Sequence, residues 1–181
     1  LCDMCFRITC PYVPPHEFNI DFPHLMLRYR MYQKETNQLP KMLMQLAKID
    51  RNAKIGIVFS TIINWATNIK NKFFRILLQF FIGIDKRVDL PKYNNETFEN
   101  YLKKNLEQTN SAAPAFGRKA VIYSTCFVNF NKKQTGVAAL KVLKKNGIKV
   151  EHCYSGCCGM PYLELGDLKK VVVQAKKISK D

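Results

Sequence analysis

Seven cysteines fall in two groups: Cys2, Cys5 and Cys10 near one end, and Cys126, Cys153, Cys157 and Cys158 near the other. The tightest pattern is Ser155-Gly156-Cys157-Cys158-Gly159-Met160-Pro161. Adjacent thiols are poor apolar filler, because two neighbouring side chains can rarely both be buried usefully. As thiolates they are soft ligands for a metal. The flanking glycines let the backbone turn tightly and approach a bulky inorganic group, which a Cβ would obstruct. Cys126 stands upstream, separated from Cys157 by 30 residues, at the end of another apolar run. A nucleophilic pair of Cys153 or Cys157 with His152 is the competing chemistry, and the adjacent thiolates make it the poorer reading.

The amino-terminal group reads Cys2-x2-Cys5-x4-Cys10-Pro11. A Cys-x2-Cys followed by Cys-Pro is the grammar of bacterial ferredoxin sites, where a short loop wraps thiolates around a [4Fe–4S] cube. The last gap is one residue longer than the usual run. Pro11 stops helix continuation and leaves the last thiolate free to face a cluster. Zinc is the alternative, but it wants four ligands, commonly from paired knuckles, and no second knuckle lies nearby. Leu1 is not a methionine and Cys2 stands at the edge of its motif. We therefore expect a sequence cut inside a longer functional one, with a first cysteine before Leu1.

Composition narrows the class. A chain of 181 residues that is 47% hydrophobic is that of a folded globular protein. Seven cysteines in two clumps, with none between Cys10 and Cys126, fit metal ligation in a reducing compartment better than a secreted disulfide scaffold. The net charge of +15 invites a nucleic-acid reading. The lysines are dispersed in pairs such as Lys103-Lys104 and Lys144-Lys145, however, with no dense basic run, so nucleic acid is not the expected partner.

The elements that must position these cysteines can be read from periodicity. Residues 22–33 read as a helix with Asp21 as its cap, and 41–49 as a second helix. His16 and His24 are assigned structural duty. Apolar stretches at 55–66 and 73–84 are too short and too interrupted to span a bilayer. Phe73, Phe74, Ile76, Leu77, Leu78, Phe80, Phe81 and Ile82 would cover most of a helix surface. Burial within the chain is the expectation for that helix, and docking on an anionic membrane the alternative. Asn94 or Asn95 would cap a helix over 96–108, and Thr109 to Pro114 reads as a linker. Beyond it, 119–125 and 148–152 read as strands, 133–145 and 168–178 as helices, with Gly147 as a stop. The β-α-β-α order calls for parallel strands. Ligands then collect at the carboxyl ends of the strands, where Cys126 and Cys157-Cys158 fall. Cys153 and His152 are expected to be buried and unligated.

Cys126-x30-Cys157-Cys158-Gly159-x-Pro161 resembles the cysteine-rich "CCG" domain found in the heterodisulfide reductase and anaerobic glycerol-3-phosphate dehydrogenase families, in the B subunit of the former and the C subunit of the latter. The stretch from Cys10 to Arg28, CPYVPPHEFNIDFPHLMLR, is similar to the segment after the second ferredoxin motif in the glycerol-3-phosphate dehydrogenase family. The resemblance implies a mixed α+β chain in four parts. These are the end of a ferredoxin-type [4Fe–4S] segment (1–18), a helical region (19–108), a linker (109–117) and a βαβα, Rossmann-like first half of a CCG domain (118–181). It implies a cytoplasmic electron-transfer subunit of an oxidoreductase rather than the substrate-converting subunit, with peripheral contact at the inner membrane as an option. Cys2, Cys5 and Cys10 would serve a [4Fe–4S] cluster, and Cys126, Cys157 and Cys158 the CCG site, holding a cubane, a non-cubane cluster or zinc. A flavoprotein dehydrogenase and a quinone would be the partners. A disulfide reductase working at the CCG cluster and a structural zinc module are the alternatives.

Overall fold

A computed structural model describes residues 10–105 and 109–180. Cys2 and Cys5 therefore lie outside the described residues. The fold is mixed and helix-rich, and it divides into two compact units: Leu1–Lys48 with Cys158–Ser179, and Ile49–Cys157 with Lys180–Asp181.

The first unit contains α1 (Phe22–Glu35), α2 (Lys41–Leu46), α9 (Met160–Glu164) and α10 (Leu168–Ile178). α1 starts where expected: the Asp21 carboxylate accepts the His24 N–H at 3.1 Å and its other oxygen meets His24 Nδ1 at 2.6 Å. α2 is shorter than its apolar pattern suggests, because the chain turns after Leu46 and a new helix begins at Ile49. Gly166 has φ +70, and a Cβ there would sit 2.5 Å from the Met31 backbone nitrogen. The absent side chain lets α1 approach closely enough for Arg30 Nη1 to donate to the Glu164 carbonyl at 3.0 Å. α1 and α9 border a cavity of about 310 Å³, walled by Phe22, Met26, Leu27 and Leu163, with Arg30 and Glu164 as its charged residues.

The second unit contains α3 (Ile49–Val58), α4 (Ser60–Ala66), α5 (Lys72–Ile82), α6 (Phe98–Lys104), β1 (Lys119–Tyr123), α7 (Cys126–Phe130), α8 (Lys133–Lys145) and β2 (Lys149–Cys153). β1 and β2 pair in parallel, in register from Lys119↔Lys149 to Tyr123↔Cys153, with α8 in the crossover. α8 spans the residues its periodicity predicts, and Gly147 at φ +85 ends it. The core centres on Phe98, which is fully buried. Its ring lies where a Cβ on Gly136 would be, 2.8 Å away, and meets the His152 ring edge-on at 5.5 Å. Phe130 and Leu140 complete the core.

Three expectations need correction. Thr97, not Asn94 or Asn95, caps α6, because its hydroxyl accepts the Asn100 N–H at 3.0 Å. Asn95 instead accepts from Ser60 Oγ. Cys126 does not end a strand. β1 stops at Tyr123, Thr125 accepts the Val128 N–H at 3.3 Å as an N-cap, and Cys126 is the first residue of α7. Lastly, α5 leaves three of its phenylalanines exposed, Phe73, Phe81 and Phe80, the last at 82%, while Phe74 is half-buried against Trp65. Its buried residue is Arg75, which donates to the carbonyls of Asp85, Lys86 and Val88.

Replacing Phe98 by Ala should remove the central contact of this core and cost about 3–5 kcal/mol. Urea denaturation of the two proteins checks it.

Candidate cysteine site

The parallel register makes Tyr123 and Cys153 a matched pair, so the loops after both strands leave the same edge. That edge is tied together by polar contacts. Ser124, which is buried, donates its N–H to the Cys153 carbonyl at 3.2 Å and pairs its Oγ with His152 Nε2 at 2.8 Å. Tyr123 O–H reaches across to the Gly156 carbonyl at 3.0 Å. Gly156 itself has φ +138, a conformation that a side chain would resist.

Within the second loop, Tyr154 and Cys157 share one partner. The Tyr154 hydroxyl donates to Asp50 Oδ1 at 2.6 Å, and the Cys157 N–H donates to Asp50 Oδ2 at 2.9 Å. Tyr154 also packs edge-on to Phe130 at 5.7 Å. Burial first, then the Asp50 hydrogen bond and charge, push the Tyr154 phenol far above its ordinary value, with Cys126 and Cys157 adding to the shift. The phenol is thus held as a proton donor to Asp50. Phe130, from the helix that begins at Cys126, and Tyr154, from the turn that carries Cys157, meet here.

Cys157 is only 3% exposed, Cys126 is half-buried and Cys158 is exposed. Cys10 is half-buried, and its carbonyl accepts the Val13 N–H at 3.4 Å in a turn. Cys153 is half-buried where burial was expected, with its sulfur 3.7 Å from Ser155 Oγ. Among the described residues, no three His, Cys, Asp or Glu side chains come together as a group able to hold a metal ion. The thiol donor chemistry of Cys126 and Cys157 suits a soft metal or an iron–sulfur cluster. A closed ligand set is not formed by these residues alone. His152 is engaged by Ser124, not by a cysteine, and burial lowers its pKa. Asp50 and Tyr154 are site residues that periodicity and motif reading did not find. Asp50 stands among ordinary helical residues and has no spacing signature, whereas Tyr154, an aromatic one residue after the last strand cysteine, was the available signal.

Residues 120–179 match the cysteine-rich domain family designated CCG, and this part of the chain is a cysteine-rich domain of that kind. The chain is also similar to the C subunit of anaerobic glycerol-3-phosphate dehydrogenase from Escherichia coli strain K12, at 31% identity over 131 residues. That alignment covers 72% of this chain and 32% of the relative, and the C subunit from Escherichia coli O157:H7 matches to the same extent. The chain thus spans about a third of the length of these curated relatives. No solved structure matches it.

The buried imidazole predicts a pH dependence. With its pKa lowered in the folded chain, His152 binds fewer protons than in the unfolded chain at mildly acidic pH. Stability that is present above the usual histidine value of 6.5 should therefore decline as pH falls, levelling below the folded pKa. Melting of wild type and His152→Gln between neutral and acidic pH should show a smaller loss in the variant.

Proposed function

We propose that this chain is an iron–sulfur electron-transfer component of an oxidoreductase, related in role to the glycerol-3-phosphate dehydrogenase subunit that it resembles. The observation that carries the reading is that Phe130 of α7, the helix that begins at Cys126, packs on Tyr154, which shares Asp50 with Cys157, at the carboxyl edge of a parallel strand pair inside a cysteine-rich domain. In this reading Cys126, Cys157 and Cys158 hold a cluster with a further ligand from elsewhere, and Cys2, Cys5 and Cys10 contribute to a [4Fe–4S] cluster. Such clusters, when bound, supply one-electron transfer. The chain's own residues supply thiolates, a largely buried setting at Cys157 and a fixed loop. The accompanying division is an iron–sulfur segment over 1–18, a helical region over 19–108, a linker over 109–117 and half of a cysteine-rich domain over 118–181.

A flavoprotein dehydrogenase would be the electron donor and a quinone the acceptor. The cavity beside α1 and α9, with apolar walls and the charged pair Arg30 and Glu164 at its lining, supports a partly apolar acceptor carrying a polar oxygen. The exposed Cys158 favours one second reading, reduction of a disulfide at the same site. Anaerobically prepared wild-type protein should be brown and bleach with dithionite, and Cys157→Ser should lose about one cluster's iron and sulfide. Colourless protein with stoichiometric zinc would defeat both redox readings. Turnover of a disulfide that is lost in Cys158→Ser would select the second.

Among the described residues no helix is long and apolar enough to cross a membrane. We place the chain in the cytoplasm, with the exposed phenyl groups of α5 supporting peripheral attachment to the inner membrane. Wild type should sediment with vesicles rich in anionic lipid, and a Phe80→Asp, Phe81→Asp double variant should not. Absence of sedimentation by wild type would end the membrane reading.

A further inference from the structure

We infer that Asp50 is a positioning residue for the cysteine site, acting from a helix outside the segment that matches the cysteine-rich domain; only the redox part of this inference rests on the iron–sulfur reading above. Asp50 lies in the first turn of α3, where unpaired backbone N–H groups and the helix dipole favour a carboxylate. Its two oxygens have separate tasks. Oδ1 takes the Tyr154 hydroxyl at 2.6 Å and Oδ2 takes the Cys157 N–H at 2.9 Å. Two attachment points three residues apart fix the orientation of the loop as well as its distance from α3. Cys157 is 3% exposed, so the Asp50 carboxylate serves an amide removed from water.

The same helix packs against α7, whose first residue is Cys126. Both cysteine-bearing turns are therefore registered on α3, one through packing and the other through a carboxylate. A methyl group at position 50 offers neither oxygen, whereas an amide can keep both contacts: its oxygen can accept the Cys157 N–H while its NH2 group donates to the Tyr154 hydroxyl oxygen.

The placement also carries an electrostatic consequence. Adding an electron to a cluster bound by Cys157 increases negative charge beside the Asp50 carboxylate, and the Tyr154 O–H partly neutralises that carboxylate. Removing the carboxylate should ease reduction, and removing the hydroxyl should hinder it.

The test uses the full chain as wild type, Asp50→Ala, Asp50→Asn and Tyr154→Phe. In metal-free protein, hydrogen exchange at the Cys157 amide should accelerate about tenfold or more in D50A, the loss expected for an amide deprived of a charged acceptor. It should change less in D50N, whose amide oxygen still accepts, and little in Y154F. In reconstituted protein, the midpoint potential should move positive in D50N and negative in Y154F. Unchanged Cys157 exchange in a folded D50A, or potentials that move the same way in D50N and Y154F, would overturn the assignment. If wild type takes up no iron, the iron–sulfur reading fails, and the metal-free exchange alone decides the role of Asp50. Should D50A fail to fold, Y154F decides: a negative shift supports the assignment, and no shift overturns it.

Discussion

Two cysteines separated by 30 residues of chain can serve one place only if the strands leading to them run the same way. Antiparallel pairing would send Cys126 and Cys157 to opposite ends of the ladder. The parallel pairing of β1 with β2 removes that option, and α8 is the crossover that parallel strands require. The pairing is short, five residues on each strand, and its edge is reinforced beyond the ladder. Ser124 with Cys153 and His152, and Tyr123 with Gly156, bind the two exits to one another. Without those bonds the loops would be free to diverge where their chemistry needs them close.

A second constraint comes from desolvation. The Cys157 amide is removed from water and the Tyr154 hydroxyl belongs to a half-buried side chain, and each finds an acceptor. One carboxylate serves both. Hydrogen bonds to a charged group contribute about 1.5–3 kcal/mol, against about 0–1 kcal/mol for an exposed ion pair such as Lys103–Glu99. By that measure the Asp50 contacts outweigh the surface pairs of this strongly basic chain. The same logic applies to Arg75, whose buried guanidinium donates to three backbone carbonyls while Phe73, Phe80 and Phe81 of α5 stay exposed.

Much of the architecture is legible in the residues themselves. The three-residue spacing of Val137, Leu140 and Leu143, with Gly147 after them, determines α8 and its end. Asp21 before Pro23 determines the start of α1, and the order of strands and helices determines the parallel pairing. The grouping of cysteines around glycines points to a cysteine-rich domain, and residues 120–179 match a cysteine-rich domain family. These features are local, or depend on order alone, so a linear chain records them.

What the linear chain does not record is competition between partners. Whether a hydroxyl at 97 or an amide at 94 or 95 caps α6 depends on whether Ser60 claims Asn95 first. Whether α5 can bury Arg75 depends on carbonyls of a turn ten or more residues away. Asp50 becomes part of the cysteine site because folding sets it beside a loop more than a hundred residues later. The sequence by itself determined the elements, their order and the thiols. The tertiary structure decided which donors share the Asp50 carboxylate, because that depends on which groups folding sets side by side.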